Sequence, residues 1–226
     1  MSYESTLSRV ETYFDKTATR TWERLTSDAP VSRIRETVRQ GREKMRAQIL
    51  SRLGEDLRGA RVLDAGCGAG QMTAELAARG AEVVAVDISP SLVRIAEARL
   101  PAGLPGRVHF TSGDMLDPAH GRFDHVVAMD SLIYYRLPDL ARALDRLARR
   151  AEGRVVFTVA PRTPLLMAMW QSGKLFPRSD RSPTMVPHAP EAIARALRDA
   201  GTPARLKVLE RVAQGFYISQ ALEVSR

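Results

Sequence analysis

The sequence predicts an α/β fold in which a mostly parallel sheet carries helices on both faces. From Ala60 onward, short apolar runs alternate with amphipathic segments, which is typical of βαβ units in a doubly wound sheet. A glycine-rich turn from Gly66 to Gly70 joins the first apolar run to the first amphipathic segment. The chain ends in two strand-like runs, ARLKVLERVA and GFYISQALEV. This last pair predicts a hairpin that closes the sheet.

The predicted strands and helices of the core follow each other in a regular order. The strands before the hairpin are RVLDA, EVVAVD, VHFTS, FDHVVAMD and VVFTVA. Helices are expected from the glycine turn to Arg79, over 90–100 and 138–150, and around 190–200, because apolar residues recur there at helical spacing.

Two further segments are expected to lie over the carboxyl ends of the strands, where ligands bind in such folds. Residues 31–53 read as an amphipathic helix, and residues 5–25 as one or two shorter helices. Together they predict an N-terminal helical cap over 1–58, followed by a ligand-binding catalytic domain over 59–226. Between about 161 and 190, the apolar stretch LLMAMW and a loop with proline and arginine depart from a minimal α/β domain. We interpret this insert as a substrate cover.

Composition limits the classes of partner and compartment. The chain of 226 residues has a formal net charge of +8, which favours partners with negative charge. No apolar run is long enough to span a bilayer, and the single cysteine and scattered histidines predict neither a disulfide nor a metal site. We therefore expect a cytoplasmic protein. The basic residues form no consecutive run, so most are expected to lie on solvated helix faces.

The glycine turn carries the first chemical signal. Gly66, Gly68 and Gly70 let the backbone turn tightly and approach a ligand closely. Asp64 ends the strand before the turn, where its carboxylate suits the ammonium of a methionine moiety and repels a pyrophosphate. The dinucleotide fingerprint GxGxxG is also missing, because Gln71 follows Gly70. The turn therefore favours S-adenosylmethionine as the cofactor.

Residues at the next strand ends complete a predicted cofactor site. Asp87 ends the second strand, where its carboxylate can accept hydrogen bonds from both ribose hydroxyls. Ile88 can form one face of an adenine slot and Met115 the other, while Asp114 can accept from the adenine amino group.

The fourth strand is followed by Asp130 and Ser131, which we place near the methionine end and the reaction centre. Taken singly, Asp114 or Asp130 is better explained as a turn or helix-capping residue. As an ordered set on successive strand ends, the acids favour cofactor binding.

These motifs resemble those of the class I methyltransferases over roughly 60–160. A narrower resemblance appears in MDSLIYYRLPDL, which is similar to the (M/L)D-x-LIHYP segment of the magnesium-protoporphyrin IX O-methyltransferases of chlorophyll and bacteriochlorophyll synthesis. The N-terminal YFDKTATRTWERL and VSRIRETVRQGREKM, and GKLFPRSDRSP in the insert, resemble the same family. The family's histidine corresponds to Tyr134 here, and its proline to Arg136.

The resemblance implies methyl transfer to a propionate carboxylate of magnesium-protoporphyrin IX. A carboxylic acid is already ionised at neutral pH, so no strong base is needed. Tyr134 is the candidate catalytic residue and would orient the carboxylate, although a role in the pocket wall explains Tyr134 and Tyr135 equally well. Tyr13 corresponds to a mobile aromatic that closes over the substrate; the alternative is a core tyrosine packed beside Phe14. Tyr13 and Tyr135 are the candidate substrate residues.

The family also implies partners, and the residues leave other functions open. Substrate would arrive from the large porphyrin-binding subunit of magnesium chelatase, and peripheral contact with the intracytoplasmic membrane is expected. A methyltransferase of another small molecule, such as a quinone precursor, shares the same core motifs. A cofactor sensor without turnover is a further alternative. Nucleic acid is disfavoured because no NPPY-type motif and no basic stripe interleaved with aromatics occur.

Overall fold

The computed structural model describes residues 3–18, 32–164, 167 and 183–225. In these residues, seven strands form one sheet. They are β1 (Arg61–Ala65), β2 (Glu82–Asp87), β3 (Arg107–Ser112), β4 (His125–Ala128), β5 (Arg154–Val159), β6 (Arg205–Gln214) and β7 (Tyr217–Ser225). Their order across the sheet is β3-β2-β1-β4-β5-β7-β6. Neighbours among β1 to β5 run parallel, whereas β7 runs antiparallel to both β5 and β6. The predicted α/β fold and its closing hairpin are confirmed.

Six α-helices accompany the sheet in the described part of the chain. They are α1 (Tyr3–Thr12), α2 (Arg33–Leu53), α3 (Gln71–Ala78), α4 (Pro90–Arg99), α5 (Leu137–Arg150) and α6 (Pro190–Asp199). A π-helical turn, Tyr13–Ala18, extends α1. The side chain of Ser32 accepts a hydrogen bond from the Arg35 amide and so caps the start of α2, and Gly54 caps its end. The predicted helix over 31–53 is thus confirmed, and that over 5–25 is confirmed as far as residue 18.

Helices cover both faces of the sheet and enclose two apolar cores. On one face, Leu140 and Leu144 of α5 pack with Phe157 of β5, and none of the three is exposed. On the other face, Met45 of α2 and Leu76 of α3 are equally buried against the sheet. Burying one such side chain contributes about 1.5–3 kcal/mol. Because α2 shares this second core, it packs as part of the main body, and the division at residue 58 remains a prediction.

The end of the insert returns to the turn that follows β4. The amide of Val186 donates to the carbonyl of Ile133 at 2.8 Å, and the amide of His188 donates to the carbonyl of Ala160 at 2.9 Å. The His188 ring nitrogen Nε2 lies 2.9 Å from the carbonyl oxygen of Tyr135. The remainder of the predicted substrate cover, 165–166 and 168–182, lies outside the described residues.

Candidate active site

A cleft opens at the carboxyl ends of β1, β2 and β4. It is open to solvent and, with the solvent space at its mouth included, comprises about 890 Å³ of empty space. Eight of the ten predicted cofactor residues line it: Asp64, Gly66, Gly68, Asp87, Ile88, Met115, Asp130 and Ser131. Gly70 and Asp114 are not among its lining residues. The ordered set of strand-end residues therefore converges, with two exceptions.

The glycine turn brings the ends of β1 and β4 into contact. Gly66 has φ +87°, and a Cβ added there would lie 2.3 Å from the Cβ of Ser131. The Ser131 hydroxyl in turn donates to the carbonyl of Ala65 at 2.6 Å. Only glycine provides both this backbone conformation and this space. Gly70, by contrast, starts α3 and packs against Ala96 of α4, and its contact with the cofactor stays a prediction.

Asp64 and Asp87 place two buried carboxyl groups beside the turn. Asp64 is 1% exposed and accepts from the Thr73 hydroxyl at 2.6 Å. Burial raises the pKa of Asp64 from 3.8 to about 7. Asp87 accepts from the amides of Gly68 at 2.8 Å and Ser89 at 2.9 Å. Burial also raises the pKa of Asp87, and these two hydrogen bonds oppose the shift.

The two carboxyl groups indicate which ligand the cleft fits. Within the described part of the chain, no arginine, lysine or histidine forms an ion pair with Asp64 or Asp87. A buried carboxylate without a positive partner is costly until a cation or a hydroxyl donor reaches it. S-adenosylmethionine offers an ammonium, a sulfonium and a ribose diol, and so suits this arrangement.

The adenine end of the predicted site is only partly as expected. Ile88 and Met115 line the cleft. Asp114 instead accepts from the Tyr3 hydroxyl at 2.6 Å and from the Leu116 amide at 2.8 Å. In this structure, Asp114 therefore fixes its own turn and holds α1. It is not among the residues that line the cleft, and its contact with the adenine amino group stays a prediction. Sequence gave no sign of this pair, because Tyr3 lies far from Asp114 along the chain.

Asp130 occupies the opposite end of the cleft in an unusual backbone conformation. Its φ is +57°, and among the described residues it is the one non-glycine residue with a positive φ. Its amide donates to the Thr158 hydroxyl at 2.7 Å, and its carboxylate forms an ion pair with Arg42 and accepts from the Tyr217 hydroxyl. Such a conformation costs about 1–3 kcal/mol and persists where surrounding contacts impose it.

The three predicted tyrosines take different places. Tyr134 and Tyr135 line the cleft, whereas Tyr13 does not and packs edge-on against Phe14 at 5.1 Å between ring centroids. Burial raises the pKa of Tyr134, so its hydroxyl stays protonated. Tyr135 is 1% exposed and stacks on Tyr3 with centroids 5.0 Å apart. Phe14, not Tyr13, supplies the aromatic ring of the N-terminal segment at the cleft wall.

Two arginines of the cleft were underestimated by sequence reasoning. Arg42 and Arg46 both line the cleft. From the sequence, Arg39 and Arg42 were candidates for the cofactor carboxylate or the second propionate, but helix arginines were expected to be mostly solvated, and Arg46 was not singled out. Their spacing of four residues puts them on one face of α2, which is the signal that could have linked them. Burial lowers the pKa of Arg46. Arg39, by contrast, pairs with Glu36 at 3.3 Å and is not a lining residue.

The described residues contain neither a group of metal ligands nor a helix that could cross a membrane. Over residues 3–18, 32–164, 167 and 183–225, no three His, Cys, Asp or Glu side chains are grouped so that they could hold a metal ion. Within the same ranges, no helix combines the length and the apolar character that crossing a membrane requires.

Two family models together match residues 62–226 of the chain. The family described as "Magnesium-protoporphyrin IX methyltransferase C-terminus" matches residues 128–226. The family described as "Methyltransferase domain" matches residues 62–152, which include the glycine turn and the ends of β1 to β4.

Individual relatives match over nearly the whole chain. The magnesium-protoporphyrin O-methyltransferase of Rhodobacter capsulatus is 59% identical over 98% of this chain and 97% of its own length. The chloroplastic magnesium protoporphyrin IX methyltransferase of Arabidopsis thaliana is 33% identical over 95% of this chain and 69% of its own. The crystal structure of the Synechocystis magnesium protoporphyrin IX methyltransferase with bound SAH has a TM-score of 0.81, with 28% identity over 97% of this chain and 99% of that one. The chain therefore belongs to the magnesium-protoporphyrin IX O-methyltransferase family.

Proposed function

We propose that the protein transfers the methyl group of S-adenosylmethionine to a propionate carboxylate of magnesium-protoporphyrin IX, giving the monomethyl ester. One observation carries the chemistry. The cleft holds two buried carboxyl groups at its glycine turn and two arginines on its α2 wall. It therefore suits a cationic cofactor on one side and a carboxylate on the other.

The cofactor side is built from the strand-end turns. Asp64 would hold the ammonium of the methionine moiety, and Asp87 would accept from the ribose hydroxyls. Ile88 and Met115 provide apolar walls for the adenine. When bound, S-adenosylmethionine supplies an electrophilic methyl group on a positively charged sulfur.

On the acceptor side, the protein has to orient the propionate carboxylate and does not have to remove a proton from it. A propionate is already ionised at neutral pH and is its own nucleophile, so the protein gains rate by aligning it and excluding water. Tyr134 lines the cleft with a protonated hydroxyl, which can donate to the carboxylate. Leu7, Val10 and Phe14 line the cleft from α1 and the turn that follows it, where they exclude water.

The assay that tests this proposal is chromatographic. Purified protein is incubated with S-adenosylmethionine and magnesium-protoporphyrin IX, and monomethyl ester is expected. The dimethyl ester of the same porphyrin lacks a free carboxylate and must not react. A quinone precursor with a free hydroxyl tests the alternative acceptor class. Methylation of that precursor without porphyrin ester would overturn the proposal.

A pair of matched variants ties the activity to the cleft. Asp87→Asn removes a buried carboxylate that lines the cleft, and it should raise the KM for S-adenosylmethionine by at least tenfold. Asp117→Asn makes the same change at an exposed residue whose carboxylate only caps the amide of Ala119. The Asp117 variant should keep the parental KM.

The source of the porphyrin substrate and the place where the enzyme meets it are part of the proposed function. The resemblance to the family implies delivery of the porphyrin by the large subunit of magnesium chelatase, and the net charge of +8 supports contact with an anionic membrane surface. Adding that subunit with bound porphyrin should raise the rate above that with free porphyrin. Sedimentation with anionic vesicles but not with neutral ones would support the membrane contact.

A further inference from the structure

The C-terminal hairpin reaches the candidate active site through Tyr217. The hydroxyl of Tyr217 lies 3.1 Å and 3.2 Å from the two carboxylate oxygens of Asp130. Its ring passes α2 at Gly41, where an added Cβ would lie 2.6 Å from the ring. Burial and the charge of Asp130 raise the pKa of Tyr217 well above its ordinary value, so the hydroxyl remains a donor. A residue at the start of β7 is thus hydrogen-bonded to a residue that lines the cleft.

The carboxylate of Asp130 links the Tyr217 hydroxyl to the guanidinium of Arg42. Thr158 of β5 donates to one carboxylate oxygen of Asp130 at 3.1 Å, and Arg42 pairs with the other. The side chains of Arg42 and Asp130 are 15% and 10% exposed. With Tyr217 and Thr158 both donating, the carboxylate has little freedom to rotate. The position of the Arg42 guanidinium at the cleft wall therefore depends on these two hydroxyl groups.

The helix that carries Arg42 is itself fastened to the same hairpin. Gln48 donates to Glu210 of β6 at 2.7 Å, and Lys44 donates to Gln214 at 2.6 Å. Arg52 pairs at 3.0 Å with Glu223 of β7, which is 4% exposed. These contacts fix α2 along its length, and Tyr217 adds a contact to Asp130 at the cleft wall.

The strand order shows which end of a bound cofactor this network faces. The sheet places β3, β2, β1 and β4 side by side. In the proposed function, the adenosine of the cofactor lies at the ends of β3 and β2, and its methionine ammonium lies at Asp64 of β1. The next strand in the sheet is β4, and Asp130 follows the end of β4. A second guanidinium, that of Arg46, lines the same cleft one turn along α2. This end therefore lines the cleft with two guanidinium groups, of which that of Arg42 is paired with Asp130 and that of Arg46 interacts with Glu43 and Glu75. Guanidinium groups at a cleft wall favour a carboxylate ligand.

We propose that Tyr217 is a positioning residue for methyl transfer, acting through Asp130 to set the Arg42 guanidinium where a ligand carboxylate binds. This inference rests on the proposed function, because the carboxylate is either that of the cofactor's methionine or a propionate of the acceptor. The two sources share one chemistry and are separated by ligands that lack each carboxylate.

Binding measurements on Tyr217→Phe test the proposal. The variant keeps the ring against Gly41 and removes only the hydroxyl. S-adenosylhomocysteine is compared with 5′-methylthioadenosine, which keeps the adenosine and the sulfur but lacks the amino-acid group. Magnesium-protoporphyrin IX is compared with its dimethyl ester. We expect a loss of about fivefold or more in affinity for the carboxylate-bearing member of one pair, with its partner unchanged.

A matched control and a double variant exclude a merely structural role. Tyr3→Phe also removes a phenol-to-carboxylate hydrogen bond, at Asp114, and should change the two adenosine ligands by the same factor. Asp130→Asn tolerates the positive φ and removes the ion pair with Arg42. In the Asp130→Asn background, Tyr217→Phe should have no further effect, because coupled residues are not additive.

The possible outcomes of these measurements distinguish the two carboxylate ligands from each other and from a purely structural role of Tyr217. Selective loss of S-adenosylhomocysteine affinity supports the role with the methionine carboxylate as ligand, and selective loss of porphyrin affinity supports it with a propionate. The proposal would be overturned by an equal loss of affinity for both members of each pair, or by no loss of affinity for any ligand. It would also be overturned if Tyr217→Phe had its full effect in the Asp130→Asn background. Failure of the parental protein to form ester would overturn the proposed function alone, since these binding comparisons need no turnover.

Discussion

The hydroxyl of Tyr3 donates to Oδ1 of Asp114 at 2.6 Å, across 111 residues of sequence. The ring of Tyr3 also stacks on Tyr135, with an interplanar angle of 15°. Burial raises the pKa of Tyr3, so the hydroxyl stays protonated and keeps donating. The first helix is thereby attached both to the turn after β3 and to the turn after β4, and it lies across the mouth of the cleft.

Tyr3→Phe should therefore destabilise the attachment of α1 without removing the ring contact. A hydrogen bond to a charged group contributes about 1.5–3 kcal/mol, and the variant should lose an amount near the lower figure in denaturant unfolding. Tyr3→Leu removes the stacking as well and should cost about 0.5–1.5 kcal/mol more. Equal stability of Tyr3→Phe and the parental protein would show that the hydroxyl contact is not maintained in solution.

Gly66→Ala should strongly weaken cofactor binding. The new Cβ would lie 2.3 Å from that of Ser131, at a φ of +87° that alanine rarely adopts. The turn must shift, and with it the ends of β1 and β4. Titration calorimetry should show at least a hundredfold loss of affinity for S-adenosylhomocysteine, since a displaced glycine turn loses several contacts with the ligand together.

Gly103→Ala is the matched control for that substitution. Gly103 also has a positive φ, +74°, but nothing lies within 4 Å of an added Cβ. This variant should lose only about 1–2 kcal/mol of stability from backbone strain and should bind cofactor normally. If both variants bind alike, the contact between Gly66 and Ser131 is not what shapes the site.

Sequence predicted those features that depend on neighbours along the chain. The strands were found because each is a short apolar run, and Asp64 and Asp87 because each directly ends such a run. Both acids line the cleft. Gly70 was assigned to the ligand on the same local pattern, but a glycine pattern cannot distinguish close approach to a ligand from close packing against Ala96.

Contacts between distant segments could not be predicted in this way. Asp114 has the local context of an adenine-binding acid, and the sequence does not show that one of its carboxylate oxygens accepts from Tyr3, because α1 folds back over the sheet. Arg42 reaches the cleft only because the hairpin holds α2 against the sheet edge, and Tyr217 meets Asp130 for the same reason. Periodicity gives the face of a helix, but not the element against which that face packs.

Cofactor binding should depend on the ionisation of Asp64. Burial raises the pKa of Asp64 to about 7, and a cationic ammonium is held only by the ionised form. Affinity for S-adenosylhomocysteine should then fall about fivefold between pH 7 and pH 6, with binding at pH 6 releasing protons. 5′-Methylthioadenosine has no ammonium and should bind with little dependence on pH in this range. The same dependence for both ligands would contradict the assignment.

The same shift has a defined effect on the stability of the ligand-free protein. Because the folded pKa of Asp64 lies above its ordinary value of 3.8, the folded state binds the proton more tightly than the unfolded state. The contribution of this group is present below pH 3.8 and is lost as the pH rises to about 7. Asp64→Asn should remove this part of the pH dependence, which unfolding curves at pH 5 and pH 8 would reveal.

Tyr134→Phe should slow the reaction without unfolding the protein. The hydroxyl of Tyr134 has no hydrogen-bond partner among the described residues, and its side chain lines the cleft beside Phe14. Its loss should therefore change stability by less than about 0.5 kcal/mol. If the hydroxyl orients the propionate, kcat should fall about tenfold, equivalent to 1.4 kcal/mol, while the KM for S-adenosylmethionine stays constant.

The pH profile of Tyr134→Phe distinguishes orientation from proton transfer. Burial holds the pKa of Tyr134 above its ordinary value of 10.0, so a phenolate is not formed near neutrality. The parental enzyme should accordingly show no rise in kcat that is attributable to this group as the pH increases, and the variant should show a profile of the same shape, displaced downward. An unchanged kcat would make Tyr134 a wall residue, and the propionate would then be held by the arginines of α2 alone.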